Sequence, residues 1–218
     1  MRKVRISLPA VDQFVDPTFC VDKETVELHE CVPAMMLSAN IASQLLVVLV
    51  GIPGSGKSTF ARSLIAETTK MPTQRKWQRI SQDVLGSRKR CITVAERALA
   101  NGDHVLIDRC NFDESQRAHW LGLRGPATRP LAVFLDVPRQ LADTRVLSRP
   151  PHEGGVDATA MSERKLRSIV AQMHANLSPP TLAEGFEEVL VCCDDADAEL
   201  ARARLLMLLR STGSREPP

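Results

Sequence analysis

Gly51-Ile52-Pro53-Gly54-Ser55-Gly56-Lys57-Ser58 follows the G-x-x-x-x-G-K-S pattern of a phosphate-binding loop and constrains this chain more than any other feature. The apolar run Leu45 to Val50 precedes it and the helix-compatible stretch Thr59 to Ala66 follows, which is the strand, turn and helix context the motif requires. Glycines without Cβ let the backbone curl so that successive N–H groups point inward at anionic oxygens, and the helix N-terminus adds partial positive charge. Lys57 can reach the β- and γ-phosphates, and the Ser58 hydroxyl can bind Mg²⁺. Glycine-rich turns also join strands to helices without any ligand. The full-length motif in its proper context points instead to a bound nucleoside triphosphate. Gly51, Pro53, Gly54, Ser55, Gly56, Lys57, Ser58 and Thr59 are its expected contacts, ATP and Mg²⁺ its expected cofactors, and Ser58 the metal ligand.

A chain of 218 residues is long enough for one full-size α/β domain with a substantial core. The formal net charge of +2 neither demands nor excludes a nucleic-acid partner, so local clusters decide. Aromatic residues make up only 4% and there is no tyrosine, so a base-stacking platform for single strands is not evident. The six cysteines form no C-x-x-C pair, which argues against zinc and against a disulfide framework and suits a reducing compartment. No N-terminal stretch has a signal peptide's layout, and the longest apolar run is far too short to span a bilayer. The expectation is an intracellular protein, nuclear or cytoplasmic, with no membrane partner.

From Leu45 onward, strand-like runs alternate with amphipathic helical ones, the pattern of a parallel sheet with crossover helices. The expected strands are Leu45 to Val50, Trp77 to Ser81, His104 to Asp108, Pro130 to Val137 and Glu188 to Cys192. Helices are expected after the loop, through Ala95 to Leu99, through Arg117 to Leu121, and from Arg139 to Leu147. Two more are expected, from Ser162 to Leu177 and from Ala196 to Leu209. Arg149-Pro150-Pro151-His152-Glu153-Gly154-Gly155 reads as a mobile loop. Residues 1–44 read as an appendage with possible short strands, 45–210 as the kinase-like domain, and 211–218 as a disordered tail.

A triphosphate site alone does not separate a kinase from a GTPase or a motor; a separate acceptor site does. Asp83 follows the second strand, where ligands of an open α/β sheet gather, and a carboxylate there can take the proton of an attacking hydroxyl. Asp is equally a good helix N-cap. Asp108 ends the third strand, where it can orient an acceptor or touch Mg²⁺ through water, or simply cap the strand end. Arg145 and Arg149 share a helix face beside the mobile loop. They suit neutralisation of charge on a transferred phosphoryl group as a lid closes, against the alternative of a solvated face. Arg75, Lys76, Arg79, Arg88, Lys89 and Arg90 bracket Asp83, either as a phosphate-attracting surface or as an ordinary charged one.

Ser81-Gln82-Asp83-Val84-Leu85-Gly86-Ser87, Arg90-Cys91, Val105 to Asn111 and Pro179-Pro180-Thr181-Leu182-Ala183-Glu184-Gly185-Phe186 together resemble the kinase domain of the polynucleotide kinase/phosphatase family. They are similar also to the P-loop kinase-like module fused to aprataxin-type histidine-triad proteins. The resemblance covers about Leu45 to Cys192. It implies a P-loop NTPase fold, a five-stranded parallel sheet of order 2-3-1-4-5 with helices on both faces and a mobile lid. It also implies transfer of the ATP γ-phosphate to a 5′-hydroxyl of DNA or RNA, as in strand-end repair. By matched position Asp83 is the general base and Asp108 an acceptor-site residue. Asn111 and Arg88 are expected to join them, with Lys57 holding the phosphates and Arg145 or Arg149 stabilising the transition state. The chain departs from the family at Gln82, where arginine is common, and at Arg109-Cys110, where Asn-Thr is common. Nothing in it resembles a phosphatase Asp-x-Asp-x-Thr loop or a histidine triad, so a kinase module alone is expected. The expected partner is a nucleic-acid 5′ end. The alternatives are a small-molecule kinase acting on a sugar, nucleoside or nucleotide, and a nucleotide-gated binding module with little transferase activity.

Overall fold

β1, Gln44–Val50, is buried along its whole length, as its unbroken apolar run predicts for a central parallel strand. The computed structural model describes residues 44–71, 75–148 and 161–213. Four more strands flank β1: β2 at Trp77–Ser81, β3 at His104–Asp108, β4 at Thr128–Leu135 and β5 at Glu188–Cys192. The sheet runs β2-β3-β1-β4-β5, all parallel, the order implied by the family resemblance. Its register aligns Ser81 with Asp108, Val48 with Ile107, Val50 with Phe134 and Leu135 with Cys192. The carboxyl ends of the strands therefore share one edge with the phosphate loop, where α/β sheets hold ligands.

The helices are α1 (Lys57–Thr68), α2 (Gln82–Leu85), α3 (Arg88–Ala100), α4 (Glu114–Leu121), α5 (Arg139–Ser148), α6 (Glu163–Ala175) and α7 (Asp195–Gly213). α3 starts where Ser87 accepts a hydrogen bond from Arg90 N, and it stops at Asn101-Gly102, with Gly102 at φ 82°. α2 is a single turn that the sequence pattern did not resolve. α7 continues to Gly213, beyond the expected Leu209.

Alternate residues of β1 serve opposite faces. Leu45, Val47 and Leu49 pack with Phe60 and Leu64 of α1 and Leu205 and Leu209 of α7. Leu46, Val48 and Val50 pack with Ala95 of α3, Trp120 of α4 and Phe186. Each such buried leucine or valine contributes about 1.5–3 kcal/mol relative to exposure. α5 and α6 form a third cluster, Ala142, Val146, Leu166 and Val170, closed over Ile52 of the phosphate loop.

Two polar assemblies hold the ends of this frame. At the amino ends of the strands, Gln44 Nε2 donates to the carbonyls of Leu99 and Asp103, both at 3.0 Å, and Thr128 Oγ1 donates to Gln44 Oε1 at 3.1 Å. His104 Nδ1 there accepts from Leu45 N at 3.0 Å. Burial lowers the pKa of His104 to about 4, with Arg75 adding to the effect, so the ring stays neutral. At the other end Arg117, 1% exposed, grips Glu184 with Nε at 2.6 Å and Nη2 at 2.8 Å, and its Nη1 donates to the carbonyls of Asn111 and Ser178. The Pro179 to Phe186 segment ends on this clamp. Thr181 and Glu184 also form a capping box around a 3₁₀ turn, Leu182–Glu184. Residues 1–43, Arg149 with the proline- and glycine-rich segment, and 214–218 lie outside the described residues.

Candidate functional site

Three glycines give the phosphate loop its shape. Gly51, Gly54 and Gly56 take φ of 150°, 83° and 98°, the region that side chains with Cβ avoid. Space enforces the first two: a Cβ on Gly51 would lie 2.6 Å from Ser55 Oγ, and one on Gly54 would run into the carbonyl of Ala142 on α5. Gly54 therefore lets the lid helix rest on the loop. Gly56 precedes α1 as its left-handed cap, so the first-turn N–H groups of Lys57, Ser58 and Thr59 face the loop's mouth. Lys57, 8% exposed, donates from Nζ to the carbonyl of Ile52 at 2.7 Å and to Ser55 Oγ at 3.3 Å. Pro53 and Ser55 are buried in the turn, and Thr59 is exposed at its rim.

Ser58 Oγ donates to Asp108 Oδ1 at 3.2 Å, and Arg79 holds Oδ2 of the same carboxylate, with Nε at 2.8 Å and Nη2 at 2.6 Å. Of the two roles expected for Asp108, orienting the acceptor or touching Mg²⁺ through water, this placement favours the second. Its carboxylate is 2% exposed and turned toward the phosphate loop. A serine hydroxyl and a carboxylate oxygen side by side are hard donors of the kind Mg²⁺ takes. Arg79 leaves the proposed acceptor-facing cluster for the same reason. Arg75 leaves it as well, donating to the carbonyl of Gly102 at 2.8 Å at the far end of β2. The basic run that remains beside Asp83 is Arg88, Lys89 and Arg90, all exposed on the first turn of α3.

Asp83 lies in the first turn of α2, exposed, with no hydrogen bond or ion pair among the described residues. It caps neither helix: Ser81 precedes α2 and Ser87 caps α3. Arg88 is exposed and its Nη1 lies 2.7 Å from His119 Nε2. Asn111, expected at the acceptor site, has its side chain turned into the fold. It is fully buried at φ 46°, its Nδ2 donates to the carbonyls of Leu49 at 2.8 Å and Arg109 at 3.3 Å, and its Oδ1 accepts from Trp120 Nε1 at 2.9 Å. Asparagine tolerates this left-handed backbone, and its amide ties the β3–α4 turn to the central strand.

Sequence reasoning passed over Arg109 except as a departure from the family. Its guanidinium lies 5.7 Å from the Trp120 ring centre. Burial depresses its pKa below the ordinary arginine range, opposed first by Cys91 and increased by Arg88. Burial likewise pushes the Cys91 thiol up, keeping it neutral.

On the opposite side of the loop a cavity of about 570 Å³ opens between α1, α5 and the start of α7. Thr59, Phe60, Leu141, Arg145, Cys193 and Arg202 are among its lining residues, and its size suits a small-molecule ligand. Arg145 borders both cavity and loop. Its Nη1 lies 4.0 Å from where a Cβ of Gly56 would sit, and its Nη2 is 3.7 Å from Asp195 Oδ1. Arg145 is thus brought to the loop, and Arg149 lies outside the described residues. No pattern in the sequence marks this cavity, because its walls come from three separate crossovers.

Comparison with known proteins agrees with this fold. A protein of Arabidopsis thaliana named Transcription factor bHLH140 is 35% identical over 170 residues, covering 76% of this chain and 18% of its own length. The Bifunctional polynucleotide phosphatase/kinase of Schizosaccharomyces pombe is 31% identical over 147 residues, covering 67% of this chain and 33% of its own length. The chain thus spans only a third or less of these relatives. Among solved structures, a fungal RNA kinase shares the fold at a TM-score of 0.62 and 14% identity, over 81% of this chain and 92% of that one. Kti12 of Chaetomium thermophilum, in complex with ADP-AlF3, does so at 0.55 and 18%, over 75% and 98%. The model of the AAA domain family AAA_33 matches residues 46–180, well over half the chain, and the protein belongs to that family as a P-loop kinase domain.

Proposed function

We propose that the chain transfers the γ-phosphate of ATP, with Mg²⁺, to the 5′-hydroxyl of a polynucleotide. The observation that carries this is the free carboxylate of Asp83 beside the C-terminal end of β3, whose last residue, Asp108, contacts Ser58 of the phosphate loop. The nucleoside of ATP fits the cavity beside Arg145, with its phosphates along the loop toward Lys57. Ser58 and Asp108 would hold Mg²⁺, which would offset the charge of the terminal phosphates. The acceptor approaches from the α2 side.

Asp83 takes the proton as the acceptor oxygen bonds to the γ-phosphorus and the bond to the bridging oxygen of ADP breaks. Lys57 and Arg145 face the charge that spreads over the transferred group. The names of the Schizosaccharomyces relative and of the fungal RNA kinase support a polynucleotide as the acceptor. Transfer of label from ATP to 5′-hydroxyl DNA and RNA oligonucleotides, in parallel with sugars and nucleosides, tests the reading. Label on an oligonucleotide is the expected result, and label on a small acceptor alone would replace the polynucleotide with that class.

A further inference from the structure

Arg109 stands at this edge in a position that the proposed chemistry leaves unused. Ser81 pairs in register with Asp108, so the chain segments that follow, Gln82-Asp83 on one strand and Arg109-Cys110 on the other, leave the sheet side by side. The carbonyl of Cys110 accepts from Gly51 N at 3.0 Å, which joins the Arg109 turn to the first residue of the phosphate loop. Arg109 therefore stands between the loop and α2.

Its guanidinium is only part satisfied. One face rests on Trp120, whose own N–H is taken by Asn111. Nη1 is buried and has no hydrogen-bond partner among the described residues. A buried guanidinium N–H without an acceptor is costly, and a bound anion beside it would satisfy it. The charges around it do not cancel either. Arg88 and Arg109 carry two positive charges against the single carboxylate of Asp83, and Cys91 contributes none. The near partner of Arg88 is His119, which brings no negative charge.

We propose that Arg109, with Arg88 beside it, forms an anion subsite next to Asp83, so that the preferred acceptor carries a phosphate or carboxylate close to its reacting hydroxyl. The proposal rests on the reading of Asp83 as the base. An arginine presents paired N–H donors to such a planar or tetrahedral anion, and Trp120 fixes the plane in which they lie. Holding the anion would orient the hydroxyl toward the loop, which makes Arg109 a specificity-determining residue.

The test compares transfer from ATP to a nucleoside, the same nucleoside with a 3′-phosphate, and a sugar acid bearing a carboxylate. Wild type, Arg109→Met and Arg109→Lys are assayed. Wild type is expected to favour an anionic acceptor over the bare nucleoside by at least about tenfold in kcat/KM. Arg109→Met should erase most of that preference through the acceptor KM, leave the KM for ATP unchanged, and be partly rescued in Arg109→Lys. The anionic acceptor that shows the preference identifies phosphate or carboxylate as the source. Equal losses on neutral and anionic acceptors, or an unchanged preference, would overturn the subsite. If wild type phosphorylates none of them, the kinase reading falls instead. Calorimetric binding of the 3′-phosphorylated nucleoside to wild type and Arg109→Met then decides the subsite: affinity lost in the variant supports it, and no binding, or equal binding, overturns it.

Discussion

Ser58 donates its hydroxyl hydrogen to Asp108 Oδ1 at 3.2 Å, joining the start of α1 to the end of β3 across fifty residues of sequence. Arg79 completes the arrangement from β2, so the carboxylate that ends β3 ties a second strand to the phosphate loop.

Asp108→Asn should therefore act on metal use before anything else. The amide keeps the shape and can still bond Ser58, but it removes the negative charge that offsets a divalent cation. The Mg²⁺ concentration giving half-maximal transfer should rise by about 10–100-fold, with a smaller change in ATP binding measured without metal. An unchanged Mg²⁺ titration would take Asp108 out of the metal site.

Asp83→Asn isolates the proton transfer. Its carboxylate is exposed and takes part in no hydrogen bond among the described residues, so the substitution should leave the thermal midpoint alone. Turnover should drop by about two to four orders of magnitude while ATP binds as before, the usual scale for a general base. Equal turnover in single-turnover kinetics would remove Asp83 from the chemistry.

The Arg117–Glu184 pair makes the opposite prediction, large in stability and secondary in catalysis. Arg117→Met leaves a buried carboxylate without its partner and should cost about 3–5 kcal/mol. That corresponds to a fall in the thermal midpoint of roughly 10 °C. Glu184→Gln should cost less, since the amide still accepts from the guanidinium. Urea unfolding of both variants and of the double variant Arg117→Met/Glu184→Gln measures the coupling, and additive losses would show that the pair does not act as a unit.

His104 sets a pH dependence with a definite sign. Folded His104 protonates only near pH 4, whereas the unfolded ring takes its proton near 6.5. Between those values the unfolded state binds more protons, so stability is full above about pH 6.5 and declines as pH falls toward 4. The decline amounts to about 3 kcal/mol from this residue. His104→Asn keeps an acceptor for Leu45 N and cannot titrate, so its stability should be flatter across that window. Parallel curves for the two proteins would show that His104 does not govern the acid side.

Much of the frame was legible because it follows from local pattern. Apolar runs marked four of the five strands, β2 carrying only Trp77 and Ile80, and the phosphate loop stands in its strand–turn–helix context in the sequence itself. Spacing does not fix strand order, which came from family resemblance. The site was legible only where function sits on one short segment. Asp108 was singled out, but its partners Ser58 and Arg79 come from elements that meet only through the β2–β3–β1 register. The basic cluster brackets Asp83 in sequence, yet Arg75 stands before β2, at the end of the sheet away from Asp83. Asn111 looked like a ligand contact because its left-handed backbone and buried amide have no signature beyond the residue type. For Arg117 and Glu184 a cue existed: Thr181-Leu182-Ala183-Glu184 reads as a capping box, though not as an ion pair with a residue 67 positions away.

The polar knot of Gln44, His104 and Thr128 lies at the edge of the sheet opposite the phosphate loop. The molecule is in effect sewn shut along one margin and left open along the other. Residues on the open margin can change the clientele of the site while the stitching holds the architecture. Gln82 and Arg109, both on that margin, are where this chain parts from the family it resembles. Substitutions in these two short turns can therefore alter the open margin without disturbing the strands beneath them.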